Sequence, residues 1–205
     1  MSFLQQSYRR LHQSLKTAQP KCLWCLEPFE PYSRLIDCFS DERKVCQKCY
    51  NKLDYKPTTF KLNGIKVSSL YRYDTEFSKL LIQYKEQRDI VLAQVFKELI
   101  REVRFTKRTK ILLPSSSEKL DYRGFNHLQE IFGTNSLDIF KKVSTHKQVG
   151  LNKQQRSQIK FELTKNIQGK VVLCDDVITT GSTLKQAISL LPHCDIECFV
   201  IGYKE

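Results

Sequence analysis

The chain has 205 residues, 40% hydrophobic and 27% charged, with 34 Lys plus Arg against 22 Asp plus Glu for a formal net charge of +12. That length allows one sizeable core and at most a small satellite module, because single domains cluster near roughly 100 to 150 residues; fibrous, collagen-like and wholly disordered classes are excluded. No apolar run approaches the roughly 20 residues that cross a bilayer, and the positive balance favours polyanionic partners, with a solvated lysine-rich surface as the plain alternative.

Residues 1–21 place Phe3, Leu4, Tyr8, Leu11 and Leu15 at three-to-four spacing among Arg9, Arg10, Lys16 and Lys21, with no acid before Glu27. This spacing predicts a basic amphipathic helix, read as a cover for its neighbour or as a docking segment. It lacks the continuous apolar block and small-residue cleavage site of a secretory signal, so the eight cysteines are expected in a reducing compartment, where metal binding outranks disulfides. Residues 22–50 form a cysteine-bearing unit and 51–66 read as a connector. A strand follows at 67–71, then helices at 76–86 and 90–104. Strands at 111–113, 137–140, 171–174 and 197–201 then alternate with helices at 125–132 and 184–191. That alternation argues for an α/β fold with a parallel sheet covered on both faces. Between residues 141 and 170 stand Lys141, Lys142, Lys147, Lys153, Arg156, Lys160, Lys165 and Lys170 against the single acid Glu162, which reads as a long basic loop. Single-stranded DNA is expected along it, helped by the N-terminal helix; the alternative is a lid whose charge serves only a pyrophosphate.

Cys22 and Cys25 form one C-x2-C pair, Cys46 and Cys49 another, with 20 residues between the pairs. Two such knuckles fill the four positions of a tetrahedral structural zinc site and leave none open for water. Four buried free thiols or an iron–sulfur cluster are the alternatives. Cys38, without a partner at short spacing, and Cys174, Cys194 and Cys198, in or beside apolar strand runs, read as buried side chains. Trp24, inside the first knuckle, reads as packing.

The segment Val171 to Thr183, VVLCDDVITTGST, is the richest in chemistry. A buried strand ends in two carboxylates, and Thr179, Thr180, Gly181, Ser182 and Thr183 then run into a helix. Ligands on open parallel sheets bind at that strand end. Gly181 lets backbone amides turn inward, the hydroxyls add donors, and the helix N-terminus favours an anion, which together make a phosphate cradle. No G-x4-G-K-[ST] occurs, so a Walker-type motor is not indicated. Asp175 and Asp176 suit the hydroxyls of a neighbouring sugar and a Mg2+-bearing ligand; a solvated strand end is the plain alternative.

This segment resembles, over its whole length, the ribosyl-diphosphate motif of type I phosphoribosyltransferases. The resemblance implies Asp175 and Asp176 on the ribose and Thr179 to Thr183 around the 5-phosphate of 5-phosphoribosyl 1-diphosphate bound with Mg2+. Arg123-Gly124-Phe125-Asn126, after a strand ending in proline and joined to an N-terminal cysteine ribbon, is similar to the ComF family of competence proteins. That likeness covers nearly the whole chain from Cys22. It implies a Rossmann-like parallel sheet with a small N-terminal zinc ribbon, divided as a basic helix over 1–21, ribbon and connector over 22–66, and a phosphoribosyltransferase-like domain over 67–205. It also implies a cytoplasmic factor for uptake or processing of incoming single-stranded DNA, working with a helicase, with peripheral attachment at the membrane through that machinery as an option. Residues 51–70 carry no cysteine, so only one of the family's zinc ribbons is expected. The family's turn after the proline strand reads Leu113-Pro114-Ser115-Ser116-Ser117, in which Pro114, Ser115 and Ser116 can still wrap a pyrophosphate. Gln148, Leu151 and Arg156 resemble the substrate-covering loop, with Arg156 and Lys153 as pyrophosphate contacts and Arg123 as a site wall. Gly124 and Asn126 have a plainer reading as a turn and a backbone-bonding cap. Two further functions stay open: an active phosphoribosyltransferase in nucleotide salvage or biosynthesis, and a silent sensor of ribosyl diphosphate. No base-recognition segment or acceptor nucleophile is evident.

Overall fold

In the computed structural model, the described residues are 20–30, 43–105, 107–143 and 160–204. The expected N-terminal helix, Cys38, Gln148, Leu151, Lys153 and Arg156 all lie outside them. The chain divides into two compact units between Asn51 and Lys52.

The first unit contains a single described turn of helix, α1 (Gln47–Tyr50), capped by the Cys46 side chain, which accepts from the Cys49 amide. The second unit opens with a hairpin, β1 (Tyr55–Leu62) and β2 (Ile65–Arg72), paired antiparallel. The stretch expected to be a connector is therefore a strand. Its turn is Asn63-Gly64, with φ of 51° and 81°, the positive values that an Asn-Gly hairpin turn requires. Pro57 stands in the register shift between Tyr55 and Thr58, and β1 is an edge strand, where a missing N–H is tolerated. Its outward, polar residues hide the strand from a reading based on apolar runs.

Helix α2 (Thr75–Lys85) starts at Asp74, whose carboxylate accepts from the Phe77 amide at 2.8 Å. It buries Phe77, Leu80, Leu81 and Tyr84. A 3-10 turn (Ile90–Leu92) leads into α3 (Ala93–Leu99). The helix expected to reach residue 104 stops there, because the Arg101 and Val103 amides turn back only three residues, to the Glu98 and Ile100 carbonyls. Next come β3 (Thr109–Leu112), α4 (Ser117–Arg123), α5 (His127–Phe132), β4 (Phe140–Val143), β5 (Lys160–Leu163), β6 (Gly169–Ile178), α6 (Ser182–Ser189) and β7 (Cys194–Tyr203).

The main sheet runs β1-β2-β7-β6-β3, with every pair parallel except the β1–β2 edge. β4 and β5 form a separate antiparallel ribbon, so both ends of the expected basic loop are strand. The strand expected at 137–140 reduces to a bridge between Leu137 and Ile111 before β4 begins. Val67, Val171, Leu173, Val200 and Ile201 are near-completely buried. On the sheet sit Phe77, Tyr84 and Phe96, with ring centroids 6.1 Å apart for Phe77–Phe96 and 5.2 Å for Tyr84–Phe96. Each such buried side chain contributes roughly 1.5–3 kcal/mol relative to exposure. Gly202 of β7 is what lets α2 lie this close, since a Cβ there would meet the Phe77 ring at 3.1 Å.

Candidate functional site

Cys22, Cys25, Cys46 and Cys49 bring their four sulfurs within 4.8 Å of one another. Around a tetrahedral zinc with Zn–S near roughly 2.3 Å, sulfurs stand roughly 3.8 Å apart, and Cys25 and Cys46 are at 3.8 Å. Leu26 takes φ 63° and its amide returns to the Cys22 carbonyl at 2.9 Å, folding the first knuckle. In the second, the Cys49 amide donates to Cys46 Sγ at 3.4 Å. Burial and the neighbouring thiols push the Cys49 thiol up, while backbone amides of Cys46, Cys25 and Trp24 outweigh burial to bring Cys22 down to about 7. Four packed sulfurs cannot ionise together without a cation, so the set suits a metal ion and is consistent with structural zinc.

The phosphate-cradle candidates fold as a tight loop between β6 and α6. Gly181 takes φ 69° directly before the helix and brings no capping side chain; the Ser182 amide donates to Thr180 Oγ1 at 3.5 Å. Thr180 Oγ1 donates to Ser182 Oγ at 3.2 Å. A Cβ on Gly181 would meet Leu62 Cδ2 at 3.1 Å and Ile178 Cδ1 at 3.3 Å, so the hairpin tip backs this loop. Thr179, Thr180, Gly181, Ser182 and Thr183 line a cavity of about 50 Å³ together with Asp175. Amides and hydroxyls gathered at a helix start are the chemistry that receives a phosphate.

A second cavity, of about 140 Å³, adjoins it and shares Asp175 and Thr183. Its walls carry Lys85, Lys119, Arg123 and Lys142, with Pro114, Ser115 and His127 between them. Arg123 is buried to 3% side-chain exposure, its Nη2 donating to Glu86 Oε1 at 3.0 Å. Its Nε is buried with no hydrogen-bond partner among the described residues. Gly124, at φ 76°, ends α4, and the Asn126 side chain accepts from the Leu128 and Gln129 amides to start α5. The plainer reading of Gly124 and Asn126 thus holds, and their turn delivers Arg123 and His127 to the cavity.

Asp175 and Asp176 part company. β6 continues through both to Ile178, and successive strand residues face opposite sides. Asp175 lines both cavities; Asp176 lines neither. The Asp176 Oδ2 pairs with the Lys85 ammonium and lies 2.7 Å from His127 Nε2. Arg123 Nη1 stands 3.3 Å and Ser115 Oγ 3.4 Å from His127 Nδ1. This network assigns a neutral imidazole, Nε2–H donating to Asp176 and Nδ1 accepting, in keeping with the burial that lowers its pKa against the pull of Asp176. For Asp176, burial alone would raise the pKa, but the Lys85 charge and the His127 bond hold the carboxyl well below its usual range. Burial, followed by the charge of Asp176, pushes Asp175 up to about 7.

For the Mg2+ expected from the sequence, the cleft itself offers a single carboxylate, Asp175. A hard cation needs carboxylate and phosphate oxygens. Asp176 has spent Oδ2 on Lys85 and His127, and Asp175 Oδ1 accepts from the Asp176 amide at 2.9 Å. Four cationic side chains line the cavity beside that one remaining carboxylate. Ser116 is also diverted from its expected contact, since its hydroxyl caps α4 by accepting from the Lys119 amide. Lys142, in the segment expected to serve single-stranded DNA or a pyrophosphate, lines the cleft from β4; burial and then the charge of Lys119 lower its pKa. The sequence reading missed Lys85, Lys119 and His127 as site residues. His127 directly follows the Arg123-to-Asn126 element and could have been caught by that adjacency, whereas Lys85 closes an ordinary amphipathic helix and carries no local signal.

No helix among the described residues is long and apolar enough to cross a membrane. Competence protein ComFC of Streptococcus pneumoniae is 25% identical to this chain over 148 residues, 66% of this chain and 67% of that protein. The family model for the phosphoribosyl transferase domain matches residues 94–202, a span that takes in the proline turn, Arg123, both aspartates and the whole threonine loop. With the parallel sheet and the strand-end cleft, that match establishes that the chain belongs to the phosphoribosyl transferase domain family.

Proposed function

We propose that this chain binds 5-phosphoribosyl diphosphate and serves as a competence-type factor in the uptake or processing of single-stranded DNA, with structural zinc in its cysteine unit. One observation carries the ligand: a phosphate-sized cavity of amides and hydroxyls and a cationic cavity share Asp175 and Thr183. A ligand with a phosphate at one end, a diphosphate at the other and hydroxyls between them matches that order. Thr179 to Thr183 take the 5-phosphate, Asp175 accepts from the ribose hydroxyls, and Arg123, Lys119, Lys142 and Ser115 take the diphosphate, with Arg156 and Lys153 as further contacts. Asp176 acts from behind, holding Lys85 and His127 in place. The DNA role, with a helicase partner, rests on the likeness to competence protein ComFC and on the net charge of +12.

Calorimetry with ribosyl diphosphate tests the ligand. Wild-type protein should bind and gain thermal stability, by about 2.7 kcal/mol at a hundredfold ligand excess over Kd, while the Asp175→Ala, Asp176→Ala double mutant should not. Equal binding by both would remove the assignment. For DNA, Lys141→Glu is the informative variant, because Lys142 lines the cleft and its replacement would confound the two roles. Weaker binding with a salt slope lessened by roughly 0.7 is expected; unchanged binding would assign DNA handling elsewhere.

The second reading, phosphoribosyl transfer, is favoured by the same cleft. An acceptor would attack the anomeric carbon as the carbon–oxygen bond to diphosphate breaks and the leaving oxygen keeps the electron pair. Cations at the diphosphate stabilise that charge. Diphosphate release with a panel of acceptors separates this from binding alone.

A further inference from the structure

The cleft departs from a metal-assisted diphosphate site in the placement of its charges. Magnesium sites for phosphorylated ligands use one or two carboxylates to hold an ion that in turn holds the phosphate oxygens. Here the two adjacent aspartates are split by the strand, one inward to Lys85 and His127 and one outward to the cleft. The outward one already accepts a backbone amide. Where a diphosphate would lie, the walls carry Lys85, Lys119, Arg123 and Lys142. Lys85 is matched by Asp176 and Arg123 by Glu86, whereas Lys119 and Lys142 make no ion pair among the described residues. Burial and then the charge of Lys119 lower the pKa of Lys142, against the opposing pull of Asp175. Such a pair of lysines repels a divalent cation and attracts an anion. Arg123, whose fork fits phosphate oxygens in pairs, retains a buried Nε without partner.

Resting on the ribosyl diphosphate reading, we propose that this cleft holds the ligand's diphosphate without a divalent cation, Lys119 and Lys142 occupying the electrostatic place of the metal with Arg123 beside them. The lysines bind the metal-free diphosphate directly. Magnesium added to the solution then competes with the protein for the same oxygens.

The test is titration of full-length, zinc-loaded protein with 5-phosphoribosyl diphosphate, in magnesium-free buffer and in millimolar magnesium at equal ionic strength. Extensive washing of the protein and a resin-treated buffer, in place of a strong chelator, keep the cysteine metal bound. The expected result is a Kd without magnesium within about threefold of, or tighter than, the Kd with it. A Lys119→Ala, Lys142→Ala variant should lose at least tenfold in affinity without magnesium and recover part of it when magnesium is supplied. Binding by the wild type only when magnesium is present would overturn the inference and leave the ribosyl diphosphate assignment intact. Absence of binding in both buffers would overturn both. Inorganic diphosphate, run in parallel, should follow the same order, and a strict magnesium requirement for it would count against the inference.

Discussion

Asp175→Asn should make the protein more stable and functionally silent. The carboxyl sits at about 7 against an ordinary 3.8, pushed there by burial and then by the charge of Asp176. A folded-state pKa above the unfolded one means that the folded chain holds a proton the unfolded chain has released. Stability therefore falls as pH rises from about 4 to about 7, and the cost is complete above that window. Some three pKa units at about 1.36 kcal/mol each give a cost of about 4 kcal/mol at pH 8. An amide in the same place avoids it, apart from about 1 kcal/mol for a weaker acceptor to the Asp176 amide. The net gain is about 3 kcal/mol, a rise in Tm of roughly 6–12 °C for a chain of this size. His127 and Asp176 also titrate, with lowered folded-state pKa values that remove stability as pH falls, but both remain in the variant. The difference between the two proteins, followed by urea or thermal unfolding from pH 4 to 8, reports Asp175. It should open from near zero at pH 4 to its full value by pH 8, with ribosyl diphosphate binding lost throughout. Parallel profiles, or a variant less stable at pH 8, would refute the reasoning.

Cys46→Ser should take the bound zinc from one ion per chain towards none in native mass spectrometry and unfold the unit that ends at Asn51, since structural zinc supplies about 10–16 kcal/mol of folding free energy in small zinc-binding peptides. The near-ultraviolet signature of the sheet unit should persist. Gly181→Ala should cost about 1–2 kcal/mol for a side chain at positive φ and, by pushing on Leu62 and Ile178, lower ligand affinity more than tenfold. Gly124→Ala is its control: φ is also positive, but nothing lies within 4 Å of the new Cβ, so stability should fall by a similar backbone cost with a smaller change in affinity, as calorimetry would show.

The parts of this molecule that were legible in the sequence are those whose partners are close along the chain. Two C-x2-C knuckles, the Thr179 to Thr183 loop and the apolar strands around Leu173 and Val200 each announce themselves within a dozen residues. The β1 strand does not, because Tyr55, Lys56 and Thr59 face outward and Pro57 breaks its register; Asn63-Gly64 was the one available signal. The sequence presents Asp175 and Asp176 as one pair because its apolar run ends at Cys174. The strand's continuation to Ile178, pinned by pairing of Asp175 with Val200 and Val177 with Gly202, turns adjacent carboxylates to opposite faces. No local pattern marks where a strand stops once its residues become polar.

The cleft's charges are assembled from separate elements. Lys85 is the last residue of α2, where a cation is favoured by the helix dipole, and its carboxylate partner belongs to β6. One residue earlier, Tyr84 is fully buried between Phe96 and Phe125, and its hydroxyl donates to the His127 carbonyl at 2.7 Å. The same helix end therefore sets both groups that hold Asp176, one through its ammonium and one through the backbone of α5. Breaking the inner pair would leave a charge buried without compensation, at about 3–5 kcal/mol, so the two helices and the strand are energetically coupled at this point. Packing beneath α2 should in consequence bear on the binding site: Leu80→Ala, at a fully buried position one turn before Tyr84, is expected to loosen the helix end that carries Lys85 and to weaken ribosyl diphosphate binding in calorimetry without touching any atom that lines the cleft, and unchanged binding would refute the coupling.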